Sequence, residues 1–408
     1  MRDPCGMACR GRRRDGSSTG IRGDWCPSTC VFPESSMGLF RLLVTALLVT
    51  GVPHAAASTP GFVPDDIGRA IIGNVQRVVA PTGVQHTHAL RIGGLEQTLT
   101  VRGMDHANPV LLYLHGGPAA PMMPASWTFQ KPWEDFFTVV QWDQRAAGRT
   151  MRANDPDAVA PTIAIDRYVA DAIELIEWLR GAYGKRKVVL VGHSWGSVIG
   201  MRVLAERPDL LHAYVGIGQI IHPWTDERVG YDYALDAARA EGNAVAIGEL
   251  EALMPYPGDD LRGGRIDAQR KWVIHYGGHS AYRDNSDYYF RAQRLSPDYT
   301  PADRRAIAAG SALTLDRILG QWNTVDFRGL RRVEAPVLML MGRHDYTTPS
   351  QPVADWLASV QAPSKRGVWF EHSAHFAPIE EPGRTLMALV THVRPLAVAA
   401  GDGRQLDD

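Results

Sequence analysis

Cysteine is scarce in this chain of 408 residues, and all four copies, Cys5, Cys9, Cys26 and Cys30, fall within the first 36 positions. The remainder is therefore neither a disulfide-stapled scaffold nor a thiol enzyme. An excess of one charge is also missing. The 43 basic and 44 acidic residues give a formal net charge of −1, without the basic field that nucleic-acid binding requires. No uninterrupted apolar run reaches the roughly 18 residues of a membrane-spanning helix. There is no H-E-x-x-H, and the pair His372 and His375 lacks supporting carboxylate spacing, so neither a metal nor a cofactor is expected. The 45% hydrophobic and 21% charged residues match an ordinary globular protein.

The N-terminal region reads as processing sequence. Met37 to Arg41 is a short start with one positive charge, Leu42 to Val52 is apolar, and His54-Ala-Ala-Ala-Ser58 supplies small residues of the A-x-A type. Together they predict a secretory signal over 37–57 with cleavage near Ala57, hence a periplasmic or secreted protein. An anchoring helix is the other reading of the same run. Residues 1–36, with Arg12-Arg13-Arg14 and two Cys-x-x-x-Cys pairs, read as an overextended start; a zinc site is the alternative. From Ser58 onward 36 basic residues face 40 acidic ones, a charge of about −4.

Beyond that point apolar runs alternate with helical periodicity. Leu90–Ile92 and Gln97–Val101 flank Gly93-Gly94 as an opening hairpin. Buried strands are predicted at 109–114, 136–142, 187–191, 213–217, 337–341 and 367–370. An amphipathic helix covers 163–179, and further helices are expected at 195–205, 351–360 and 383–393. This alternation predicts an α/β protein with a mostly parallel sheet covered by helices on both faces. The segment 221–330 shows helical pieces and no clear strand. It is too long for a structureless loop and reads as a mainly helical cap inserted between core parts 58–220 and 331–400.

Gly192-His-Ser-Trp-Gly196 matches G-x-S-x-G, with an apolar strand before it and a helix after it. That context lifts the Ser194 hydroxyl above the sheet at a helix N-terminus, where developing negative charge is favoured. A serine hydroxyl needs a base, and the base needs an orienting acid. Asp345 follows the strand at 337–341 and His375 follows the strand at 367–370, which puts both on the rim that carries Ser194. His372 is the competing base, but it lies too close to its strand end to reach over the nucleophile. Two backbone donors are required for the oxyanion: Trp195 gives one, and Gly117, in His115-Gly-Gly-Pro118, gives the other. These features predict the α/β-hydrolase fold and a serine hydrolase.

The segments His115-Gly-Gly-Pro118, Val140-Gln-Trp-Asp-Gln-Arg145 with Gly148, the elbow at 192–196 and Gly342-Arg-His-Asp345 resemble the proline iminopeptidase (prolyl aminopeptidase) family of serine peptidases. The resemblance covers roughly 85–218 and 330–395. It implies Ser194, Asp345 and His375 as triad, Gly117 and Trp195 as oxyanion donors, and Asp143-Gln144-Arg145 as a structural motif beside the site. Two glycines usual in that family are replaced here by Ala119 and Ala146. Family members hold the substrate's free amino terminus with acidic cap residues. Here Glu227 is the first candidate, followed by Asp226, Asp232 and Asp236, with Tyr231 and Tyr233 nearby. The implied activity is release of N-terminal residues, proline preferred, from a small peptide. A carboxylesterase or lactonase, and a non-catalytic binder of the same fold, are the rivals.

Translation from Met37 is expected to suffice for export, with a mature N-terminus close to Ser58. N-terminal sequencing of the exported protein checks this, and a mature chain retaining residues 1–36 would refute it.

Overall fold

The computed structural model describes residues 65–405, so the expected export signal and all four cysteines lie outside the described range. Eight strands form one sheet: β1 (Val84–Ile92), β2 (Leu95–Gly103), β3 (Val110–Leu114), β4 (Thr138–Asp143), β5 (Val188–His193), β6 (Leu211–Ile217), β7 (Val337–Gly342) and β8 (Lys365–Phe370). Their order is β1-β2-β4-β3-β5-β6-β7-β8. The β1–β2 hairpin and the β2–β4 pair are antiparallel, and every later pair is parallel.

The apolar runs become strands because both of their faces are covered. Val110, Leu112 and Leu114 of β3 point into one core cluster, while Leu111 and Tyr113 point into another on the opposite face. Residues that alternate between two buried layers cannot alternate in polarity, hence the continuous Val-Leu-Leu-Tyr-Leu. Each such side chain, once fully buried, contributes about 1.5–3 kcal/mol. The helix Ile165–Tyr183 turns its apolar stripe, including Val169, Ile176 and Leu179, into the first cluster, and Gly184 ends it in the left-handed conformation.

Between β6 and β7 the chain forms helices joined by turns, with its longest helices at Pro223–Glu241, Arg265–His275 and Pro301–Leu319. The last of these starts at a reciprocal cap: Thr300 accepts the Asp303 N–H, and the Asp303 carboxylate accepts the Thr300 N–H. Its Gly310 then presses on the turn at Ala146. A Cβ at 310 would lie 1.9 Å from the Ala146 carbonyl oxygen. Ala146 and Ala119, the two departures from the resembling family, both adopt left-handed backbone (φ 61° and 58°). Glycine adopts that conformation without cost, whereas an L-residue pays about 1–2 kcal/mol. The sequence departs from the family, but the backbone at these positions is one that suits glycine.

Gly310→Ala is expected to lower stability by about 1–3 kcal/mol, since the obstacle is backbone that must shift. Urea unfolding monitored by tryptophan fluorescence measures it; an unchanged midpoint would show that the helix does not press on the 146 turn.

Candidate active site

The four predicted loops lie at the carboxyl ends of parallel strands: Gly117 after β3, Ser194 after β5, Asp345 after β7 and His375 after β8. Adjacent parallel strands end on one rim, so topology alone brings these distant residues together. Ser194 sits between the end of β5 and the helix Trp195–Glu206 with φ 54° and ψ −123°. A non-glycine residue in that region is strained by about 1–3 kcal/mol, so the surrounding packing must hold it there. The flanking glycines explain how. A Cβ on Gly196 would stand 2.2 Å from the Leu114 carbonyl oxygen, and one on Gly192 would stand 2.8 Å from the Gly196 oxygen.

Asp345 is buried and engaged on both oxygens. Oδ1 accepts the Thr347 and Thr348 N–H groups at 2.9 Å each, and Oδ2 accepts the Thr348 hydroxyl at 3.0 Å and His375 Nδ1 at 3.0 Å. With Nδ1 committed, Nε2 is the nitrogen of His375 left for the nucleophile. His375 is 4% exposed and lines the same cavity, of about 250 Å³, as Ser194, Gly117 and Trp195. His372 is exposed and bonds the Tyr282 hydroxyl instead, outside the cavity.

The Asp143-Gln144-Arg145 motif braces the site. Gln144 Nε2 donates to the His115 carbonyl at 3.0 Å, its N–H donates to His115 Nε2 at 3.2 Å, and its Oε1 accepts Trp195 Nε1–H at 3.2 Å. One side chain thus ties the loop carrying Gly117 to the residue after Ser194. Arg145 forms a fully buried pair with Asp171 at 2.9 Å, and Gln97 completes that carboxylate. Removing one partner of such a pair typically costs about 3–5 kcal/mol. Asp143 accepts the Arg149 N–H at 2.8 Å and the hydroxyl of Tyr299 from the helical insertion, yet its Oδ1 has no partner. Burial raises its pKa to about 6 against the opposing pull of Arg149.

Of the four acidic candidates, two reach the cavity. Glu227 lines it, but its oxygens are occupied by Tyr256 Oη at 2.6 Å and Arg270 Nη2 at 2.5 Å. Asp226 lines it too, is 3% exposed, and has no hydrogen-bond partner on either oxygen. Burial pushes its carboxyl well above the usual range, and Glu227 and Asp345 add to the shift while Arg270 opposes it. Asp232 is paired with Arg228 on the surface, and Asp236 is exposed. Tyr231 and Tyr233 serve structure, bonding the Leu250 and Tyr276 carbonyls. Of the two, Glu227 is thus occupied by neighbouring side chains and Asp226 is left without a hydrogen-bond partner. Among the described residues no cluster of three or more metal-ligating side chains occurs. No helix among them is long and apolar enough to cross a membrane.

His279 was not singled out by sequence. It stacks on His375 with ring centroids 5.3 Å apart, from the Gly277-Gly278 turn that ends the helix Arg265–His275. That glycine pair is the signal that marks a close approach of backbone.

Residues 109–382 match the family described as alpha/beta hydrolase fold, and the chain belongs to that family. The class that fold and site define is a hydrolase. Among its relatives is a Bacillus subtilis (strain 168) protein named "Probable aminopeptidase YbaC", 29% identical over 311 residues, which covers 75% of this chain and 95% of that protein. The proline iminopeptidase of Neisseria gonorrhoeae is 23% identical, covering 72% and 93%. These relatives bear out the resemblance read from the motifs. The crystal structure of a Mycobacterium smegmatis proline iminopeptidase superposes with TM-score 0.55 at 20% identity, over 78% of this chain and all of that one. A haloalkane dehalogenase variant from Bradyrhizobium elkanii superposes with TM-score 0.51 at 16% identity, covering 78% and 99%. Likeness at such identities speaks for the fold alone.

A carboxyl whose folded pKa is raised favours the fold below its unfolded pKa and loses that contribution as pH rises through the folded value. Relative to Asp143→Asn, the wild type should therefore lose up to about 3 kcal/mol of stability between pH 4 and pH 7. Urea unfolding of both proteins at the two pH values tests this, and a constant difference would count against it.

Proposed function

We propose that the chain is an exported serine aminopeptidase that releases N-terminal residues, proline preferred, from small peptides through an acyl-enzyme on Ser194. His375 Nε2 takes the Ser194 hydroxyl proton as Oγ attacks the scissile carbonyl, and Asp345 holds the imidazole by Nδ1 and stabilises its charge. The Gly117 and Trp195 N–H groups receive the oxyanion, each contributing about 3 kcal/mol to the transition state. The His375 imidazolium then protonates the leaving amine. Water, activated by the same histidine, hydrolyses the ester and returns Ser194.

One observation carries the peptidase reading over an esterase: the unpartnered Asp226 carboxylate in the cavity shared with Ser194 and His375. A buried carboxylate without a cation is costly, and a substrate α-ammonium is the group that relieves it. Bound there, the ammonium would favour the ionised form that the empty site disfavours. Glu227 acts at one remove, holding Arg270 so that the guanidinium does not cancel Asp226.

The test combines nucleophile and specificity. Ser194→Ala should lower turnover by several orders of magnitude and abolish labelling by a serine-directed fluorophosphonate. Prolyl p-nitroanilide should be cleaved, and its N-acetylated form should be poorer by about ten- to a hundredfold, the worth of a buried charge-assisted hydrogen bond. Asp226→Asn should shrink that gap while sparing p-nitrophenyl ester hydrolysis, and should not destabilise the fold. Equal rates on free and blocked prolyl substrates would end the aminopeptidase reading. Fast ester turnover without amide cleavage would replace it by a carboxylesterase or lactonase.

A further inference from the structure

His375 is contacted by two other histidines. His193, 2% exposed, donates from Nε2 to the His375 carbonyl at 2.9 Å, with ring centroids 4.8 Å apart. The His279 carbonyl accepts the His375 N–H at 3.2 Å, and the two rings stack at 5.3 Å with an interplanar angle of 25°. His279 belongs to the helical insertion, whereas His193 belongs to β5. The insertion reaches the base because Gly277 (φ 82°) turns the chain and Gly278 lies flat against the acid loop. A Cβ on Gly278 would stand 2.9 Å from Tyr346 Cβ, and the Gly278 carbonyl accepts the N–H groups of Tyr346 and Thr347 at 2.9 and 3.1 Å. One three-residue segment therefore seats on both the acid loop and the base loop.

We infer that His279 is a positioning residue for His375, its imidazole face holding the ring of the base and stabilising the imidazolium formed during acylation; this rests on the triad reading above. A cation stacked on a neutral aromatic face is favoured, and more so away from water. That requires the flanking rings to stay neutral while His375 charges. His193 does, because burial holds its pKa at about 3. Burial, together with His375, Arg270 and His193, likewise keeps His279 well below the ordinary histidine value. His279 Nδ1 bonds the Ser286 hydroxyl at 2.6 Å, which fixes the orientation of the ring against His375. With His279 stacked on its ring and Nδ1 on Asp345, His375 is held to present Nε2. The insertion then has a second task besides enclosing substrate, since catalysis needs it in place even for a substrate it does not recognise.

Steady-state hydrolysis of p-nitrophenyl acetate tests this, because that ester has no amino group for the cavity to read. His279→Ala keeps every backbone bond of the segment and should lower kcat about tenfold with KM within twofold. His279→Phe restores an aromatic face and should recover most of that loss, although it cannot bond Ser286. Thermal melting of both variants separates the effect from unfolding. Wild-type kcat in His279→Ala, or equal impairment in His279→Phe and His279→Ala, would overturn the inference. His375→Ala is the control on the underlying reading. If it retains activity the triad assignment itself fails; if it is inactive while His279→Ala is not, only the role of His279 falls.

Discussion

The turn at Ser194 is the constraint from which the site follows. The residue must adopt a positive φ between a buried strand and a buried helix, and the helix must start within touching distance of β3. Glycine at 192 and 196 is what allows that approach, because the atoms in the way are backbone oxygens that cannot yield as a side-chain tip can. The strain is local, but the packing that sustains it spans the sheet. β5 lies between β3 and β6, so the turn is gripped from both sides.

Around this turn the polar interior is a bracing system. Gln144 links the loop after β3 to Trp195, Arg145 and Asp171 pin the hairpin side, and Tyr299 of the insertion reaches Asp143. A buried amide or ion pair of this sort costs free energy if any partner is lost, so it specifies one arrangement more than it stabilises it. The motif Asp143-Gln144-Arg145 owes its composition to geometry: three consecutive residues face three different elements, each needing a different donor or acceptor.

The insertion contributes differently. Its electrostatics are uneven in a way that residue types do not disclose. Neighbouring carboxylates at 226 and 227 on one helix have opposite fates, because Arg270 and Tyr256 hydrogen-bond Glu227 and neither bonds Asp226. What remains buried in the cavity is the Asp226 carboxylate without a hydrogen-bond partner, in the lining that also holds Ser194 and His375. The segment Gly277–His279 joins the insertion to the loops that carry Asp345 and His375.

Much of this was legible in the sequence, and the reason is locality. Two-faced burial writes itself as continuous apolar runs, so β3, β5, β6 and β7 were readable within a residue or two. The elbow glycines, Asp345 and His375 were readable because chain order and strand ends place them on one rim without any knowledge of packing. The antiparallel strands were read too short: β1 runs from Val84 and β2 to Gly103, and the solvent-facing residues along β1 blur the pattern. Choosing Asp226 over Glu227 lay beyond the sequence. On a helix the two are adjacent and chemically alike, and only the neighbouring helix decides which one is neutralised. His279 was invisible for the same reason, as nearly a hundred residues separate it from His375. Sequence by itself determined the fold and the placing of Ser194, Asp345 and His375 on one rim, because these depend on strand ends and short turns. Tertiary structure alone decided which carboxylate lacks a hydrogen-bond partner and which histidine stacks on His375, because those depend on contacts between elements that no local pattern encodes.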